Sequence, residues 1–246
     1  MIQLNNLNEN IREAVSHFWL TRDEQLKKQK MSIKQDYGAR SAVTGGKQMA
    51  AFERLATQIA LDAGIPESSI FWTSRLELPG YFRPEKKWDL LIVDQGTLVA
   101  AVEFKSQVGP SFGNNFNNRA EEAIGTAQDL WIAYREGVFG EQQQPWLGYL
   151  FILEDCDKTQ VPVTAKQPHF KVSPDFMNAS YAKRYEILLT KLVRERYYTS
   201  ACLILSKKPQ NIDDIHYSEP REILRSQVFF TTFAAHLEAY VILKNN

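Results

Sequence analysis

The sequence has only two cysteines, Cys156 and Cys202, far apart and each among apolar neighbours. That is too few for a zinc ribbon or a disulfide framework, so both read as buried free thiols of a reducing compartment. No apolar run approaches the ~20 residues of a membrane span. The amino terminus, MIQLNNLNENIREA, lacks the basic-then-apolar pattern of a secretion signal. A soluble, cytoplasmic protein is expected. There is no internal repeat, low-complexity tract or long Gly/Ser linker. The four histidines, His17, His169, His216 and His236, show no ligand spacing. Net charge is missing too: 29 basic residues balance 29 acidic ones, which excludes a protein that coats nucleic acid by uniform charge. A neutral total still permits basic clusters. Arg22, Lys27, Lys28, Lys30, Lys34, Arg40 and Lys47 face three acids between Thr21 and Lys47; seven basic residues face two acids between Lys183 and Lys208.

What is present is ample core material, 44% hydrophobic residues in 246, enough for one elaborated domain. Ile11, Ala14, Val15, Phe18 and Trp19 recur at helical spacing, with Asn8 or Asn10 as the expected cap. A second helix should follow the Gly45-Gly46 break. The period then changes. Strands are expected at Ser69–Leu78, Trp88–Val93, Thr97–Phe104, Leu147–Leu153 and Ala201–Leu205, with a hairpin turn at Asp94-Gln95-Gly96. Helices are expected at Asn115–Gly137, Ser180–Arg196 and Glu222–Leu243. The order implies an α/β chain in which helices surround a small central sheet.

The Trp88–Lys105 hairpin carries the chemistry. Side chains alternate along a strand, so Glu103 and Lys105 share a face while Phe104 points into the core. The hairpin returns Asp89 to the neighbourhood of Glu103. Two carboxylates and a lysine at one end of a buried sheet suit metal-assisted phosphodiester hydrolysis. Asp89 and Glu103 offer hard oxygen ligands for Mg²⁺, and the Phe104 backbone carbonyl is a further candidate ligand. Lys105 can hold or help deprotonate the attacking water and offset developing negative charge.

The spacing Asp89…Glu103-Phe104-Lys105 resembles the PD-(D/E)xK nuclease motif, with Trp88 where that motif often has proline. LPGYFRPEKKWDLLIVD (Leu78–Asp94) and VAAVEFKSQVGPSFGNNFNNRAEEAIGTAQDL (Val99–Leu130) closely resemble the XhoI family of type II restriction endonucleases. So do GGKQM (Gly45–Met49), LEDC (Leu153–Cys156), PHF (Pro168–Phe170) and the run from Pro174 to Glu186. The resemblance implies a single domain over 1–246. Its PD-(D/E)xK restriction-endonuclease-like core would be a small central mixed β-sheet flanked by helices, at about 45–200, with helical additions at 1–44 and 210–246.

It further implies a homodimeric, Mg²⁺-dependent enzyme cutting duplex DNA at a palindromic CTCGAG-like site, after the first cytosine, leaving 5′ overhangs. A methyltransferase of the same specificity is the implied genetic partner, with no required contact. Asp89, Glu103 and Lys105 become the catalytic set. An additional upstream acid sometimes assists such enzymes; Ala50 stands where the family pattern carries an acid, and Glu53 is the nearest candidate.

Asn115, Asn117, Asn118 and Arg119 follow the catalytic strand at the start of a helix. Asparagine can pair with adenine and arginine with guanine in the major groove. Asn114 or Asn115 is expected to cap the helix instead. Lys47, Lys86 and Lys87 are the nearest candidates for phosphate. The rival readings are a PD-(D/E)xK repair or RNA-processing nuclease without sequence specificity, and a non-catalytic DNA-binding protein on the same fold. The intact Asp89, Glu103 and Lys105 argue against the latter.

Overall fold

The computed structural model describes residue 4 and residues 6–32, 47–211 and 214–245, with side chains at 28–32 excluded. The Gly45-Gly46 break, Lys34 and Arg40, and the side chains of Lys28 and Lys30, therefore lie outside the described residues. The chain runs α1 (Leu7–Ser32), α2 (Ala50–Asp62), β1 (Ile70–Phe71), β2 (Glu77–Leu78), β3 (Lys86–Lys87), β4 (Leu90–Asp94) and β5 (Thr97–Gln107). It continues with α3 (Phe112–Arg135), β6 (Trp146–Glu154), α4 (Asp157–Gln160), α5 (Tyr181–Arg194), β7 (Ser200–Ser206), β8 (Tyr217–Ser218) and α6 (Ser226–Lys244).

A six-stranded mixed sheet lies at the centre, in the order β1-β4-β5-β6-β7-β8. β5, β6 and β7 are parallel; the flanking pairs are antiparallel. The parallel strands β6 and β7 are buried along almost their whole length. This is why their sequences read as continuous apolar runs: both faces are covered by helices. On one face Leu90, Val102, Phe104, Leu150 and Ile204 pack with α1, α2 and α6. On the other, Leu91, Ala101, Tyr149, Phe151 and Leu203 pack with α3 and α5. The terminal helices thus supply one of three layers. In α6, Phe229, Phe230, Phe233 and Leu237 are core residues, with Phe229 and Phe233 against Trp146.

The hairpin turn is a two-residue Gln95-Gly96 loop with φ of 51° and 84°. Positive φ at both positions matches the right-handed twist of the strands it joins, and glycine takes it without strain. Asp94 anchors the turn by accepting from Ser69 Oγ at 2.8 Å and Tyr240 Oη at 2.9 Å.

Several expectations need correction. Ser69–Leu78 is not one strand; β1 and β2 belong to different sheets, because Trp72–Arg75 is exposed and Arg75 turns the backbone at φ 57°. α1 begins at Leu7, before Asn8 and Asn10, so neither caps it. α3 begins at Phe112, three residues early, since Phe112 is buried against Tyr181; Asn114 and Asn115 lie inside the helix instead of capping it. Glu222–Leu224 is a separate 3-10 turn before α6, and β8 was not anticipated. Cys202 is buried as expected, but Cys156 is only half-buried, at the start of α4. Among the described residues no helix is long and apolar enough to cross a membrane.

Candidate active site

β4 and β5 pair antiparallel through Leu90–Val102, and the Asp89 amide extends the ladder to the Val102 carbonyl at 3.3 Å. β4 ends there, while β5 runs on to Gln107. Asp89 therefore sits at a corner where β5 has lost its neighbour on that side. The Phe104 amide, with no strand to pair with, donates to Asp89 Oδ2 at 2.8 Å. In an extended strand a residue's N–H and C=O point to the same side, so the Phe104 carbonyl faces the corner too.

Alternation along β5 puts Glu103 and Lys105 on the face toward α3, opposite Phe104. Glu103 is 1% exposed. One of its oxygens accepts from Lys86 Nζ and the other from Lys105 Nζ. Lys105 Nζ also meets Asp89 Oδ2 at 3.1 Å and lies 3.9 Å from Glu122 on α3. Glu122 in turn pairs with Arg119. One ammonium thus gathers Asp89 and Glu103, as the hairpin geometry required.

Electrostatics sharpens these roles. Burial disfavours the Lys105 cation, but the charges of Glu103 and Asp89 and the bond to Glu103 prevail and hold its pKa above the usual lysine value. In this arrangement Lys105 is a cation and hydrogen-bond donor at neutral pH. Glu53, half-buried in the first turn of α2, is pushed up to about 7 by burial and then by the negative charge of Asp89, with Arg54 and Lys105 opposing. Glu53 thus belongs to the same electrostatic neighbourhood. Glu53, Asp89, Glu103 and Glu122 are thus interleaved with Lys86, Lys105 and Arg119, with Arg54 beside Glu53.

Among the described residues no three His, Cys, Asp or Glu side chains are arranged to hold a metal ion. The donor set is the Asp89 and Glu103 carboxylates with the Phe104 carbonyl. This fits Mg²⁺, which takes hard oxygen ligands, keeps several waters and needs few protein atoms.

The other candidate residues divide. Lys86 is turned to Glu103 and to its own strand, over the Trp88 ring, and does not present a free ammonium. Lys47 and Lys87 are exposed, as are Asn117 and Asn118; Asn115 is half-buried, and Arg119 is engaged by Glu122. Glu154 accepts from the Gly109 amide at 2.7 Å and holds the loop after β5. Glu122 escaped the sequence reading because an acid on a helix face normally means solvent; its spacing of three from Arg119 was the available signal.

The model of the restriction endonuclease XhoI family matches residues 28–219. The chain belongs to the XhoI restriction endonuclease family. The type II restriction enzyme BstVI of Geobacillus stearothermophilus is 49% identical over 213 residues, 85% of this chain and 95% of that protein. XhoI of Xanthomonas vasicola is 49% identical over 184 residues, 74% of this chain and 73% of its own. AbrI of Azospirillum brasilense is 47% identical over 173 residues, 70% and 78%. No solved structure matches the chain. The matched span contains the whole corner from Glu53 to Glu122. This XhoI-family chain is a type II restriction endonuclease, and its substrate is DNA.

Proposed function

We propose that this enzyme hydrolyses both strands of duplex DNA at CTCGAG or a close relative, after the first cytosine, leaving 5′ overhangs, with Asp89, Glu103 and Lys105 as its catalytic set. The observation that carries the catalytic part is the meeting of Asp89 and Glu103 at the Lys105 ammonium. Family membership supports the target sequence. Asp89, Glu103 and the Phe104 carbonyl would hold Mg²⁺, which would supply Lewis-acid polarisation of the scissile phosphate and a lowered pKa for water there.

The chain's own groups do the rest. Lys105, kept protonated by its carboxylates, donates to the attacking water and offsets negative charge building on the phosphate. Glu122 steadies Lys105 from α3. Lys86 shares with Lys105 the neutralisation of buried Glu103, one ammonium on each carboxylate oxygen. Glu53, with a pKa of about 7, is matched to accept a proton near neutral pH. Exposed Asn117 and Asn118, with Asn115 and Arg119, would face the major groove, and Lys47 and Lys87 the phosphates.

A palindrome cut on both strands calls for a two-fold homodimer, one site per strand. A methyltransferase of the same specificity would protect the host chromosome, and the cytoplasm is where both would act. The working unit is a single domain spanning 1–246. The test is a digest of unmethylated phage DNA with the purified protein and Mg²⁺, with fragment ends sequenced. Discrete ends within CTCGAG or an extension of it are expected. Random nicking would contradict sequence-specific cutting.

A further inference from the structure

β2 and β3 form a small antiparallel hairpin whose connection, Pro79–Glu85, leads straight into the catalytic corner. Its root is buried: Leu76, Leu78 and Trp88 belong to the core on the α3 side, and the Trp88 amide donates to the Leu76 carbonyl at 2.9 Å. Its tip is the reverse. Tyr81 is 51% exposed and Phe82 70%, their rings edge-to-face at 5.1 Å. Two adjacent aromatic rings held in water are unusual unless something covers them.

The tip is held rigidly. Asp129 on α3, 4% exposed, accepts from the Tyr81 and Phe82 amides at 2.8 Å each and from Arg83 Nε at 2.7 Å. Arg83 also reaches Thr126 Oγ1. Gly80 makes this approach possible, because a Cβ there would collide with the Asp129 carboxylate and come within 2.9 Å of the Arg83 carbonyl. A buried carboxylate is thus spent on fixing two exposed rings. Fixing them in advance removes the ordering cost of a later contact.

The placement points to what they meet. Asp129 lies two helical turns beyond Glu122 on the same face of α3, about 10 Å along the axis at 1.5 Å per residue. Glu122 is 3.9 Å from Lys105. Apolar side chains presented beside a nuclease centre can wedge into a base step, unstacking it and bending the duplex.

We propose that Phe82, with Tyr81 beside it, is a DNA-contacting wedge that inserts at a base step near the scissile phosphate; this rests on the reading of the corner as a DNA-cutting site. The test uses full-length protein with calcium in place of magnesium. The probes are CTCGAG duplexes carrying 2-aminopurine at single positions within four base pairs either side of the cut. Wild-type binding should raise 2-aminopurine fluorescence at one base step in each half-site. Phe82→Ala should lose that rise and bind at least tenfold more weakly, with the salt dependence and sedimentation unchanged; Phe82→Leu should recover part of both.

No fluorescence rise in bound wild type, or Phe82→Ala binding within threefold of wild type, would overturn the wedge and leave the cutting site intact. Loss of self-association in Phe82→Ala would show instead that the rings face a second copy of the chain. Wild type that neither binds nor cuts CTCGAG duplex would overturn the underlying reading, and the wedge with it.

Discussion

Replacing Lys105 by alanine tests the corner from two sides. The lysine side chain is 14% exposed and bonds both Asp89, 30% exposed, and Glu103, 1% exposed. Its removal leaves Glu103 with Lys86 alone and Asp89 with the Phe104 amide. Breaking a buried ion pair by deleting one partner costs about 3–5 kcal/mol, and the surviving Lys86 contact places this case near the lower end, about 3 kcal/mol. For a chain of this size that lowers the thermal midpoint by about 6–12 °C. The cluster loses the one cation that Asp89 and Glu103 share, so calcium should restore more of the lost stability in the variant than it adds to wild type. Cleavage should fall at least a hundredfold, since donor and electrostatic contributions of one such group amount to about 10²–10⁴ in rate. Thermal unfolding with and without calcium, together with single-turnover cleavage of a CTCGAG duplex in magnesium, measures all three quantities. An unchanged midpoint with cleavage within threefold of wild type would refute the reasoning and reduce Lys105 to a surface lysine.

The remaining predictions concern protons and base reading. Glu53, raised to about 7, is neutral below that pH and ionised above it, so cleavage should rise as pH passes through 7. Because its folded pKa exceeds the unfolded value, the folded state loses stability as pH climbs from the unfolded carboxyl pKa to about 7; Glu53→Gln should flatten both profiles, and unaltered profiles would remove Glu53 from the site. Asp94, Asp129 and Glu186 behave oppositely. Burial works against their ionisation, but Lys244, Ser69 and Tyr240 at Asp94, the Phe82 and Tyr81 amides with Arg83 at Asp129, and Lys183 and Arg221 at Glu186 hold their pKa values down. Their stabilisation is present above the unfolded carboxyl pKa and lost as pH falls through the folded values. Urea midpoints should therefore drop steeply below about pH 4, less steeply in Asp129→Asn; equal slopes would contradict it. Arg119→Ala should relax site selection, seen as extra fragment ends near CTCGAG, whereas an identical cutting pattern would place base reading elsewhere.

The sheet strands and the hairpin were legible because their signals are local: a Gln-Gly turn and apolar runs at β4, β5, β6 and β7. The convergence of Asp89, Glu103 and Lys105 followed from strand alternation and one short turn, both fixed by covalent geometry. What stayed hidden depends on packing between distant segments. Phe112 starts α3 early because Tyr181, far along the chain, offers a ring to stack on. Lys86 looked like a phosphate contact because nothing in its neighbours shows that it folds back onto buried Glu103. Glu122 joins the corner only once α3 packs beside β5, and Asp129 finds the Tyr81–Phe82 loop by the same packing. The two-residue strands β1, β2, β3 and β8 are too short to carry a period.

The most direct test of the catalytic assignment is Asp89→Asn on a CTCGAG duplex. Binding is measured by fluorescence anisotropy in calcium, and cleavage by single-turnover kinetics in magnesium. Asparagine keeps the shape of the side chain and an acceptor for the Phe104 amide while removing the charge that would hold the cation. The expected result is binding within about tenfold of wild type and cleavage slower by at least about a thousandfold, a barrier increase of about 4 kcal/mol. A variant that cuts the same bond at the wild-type rate would contradict the account, because the Asp89–Glu103–Lys105 corner would then not be where the phosphodiester is broken.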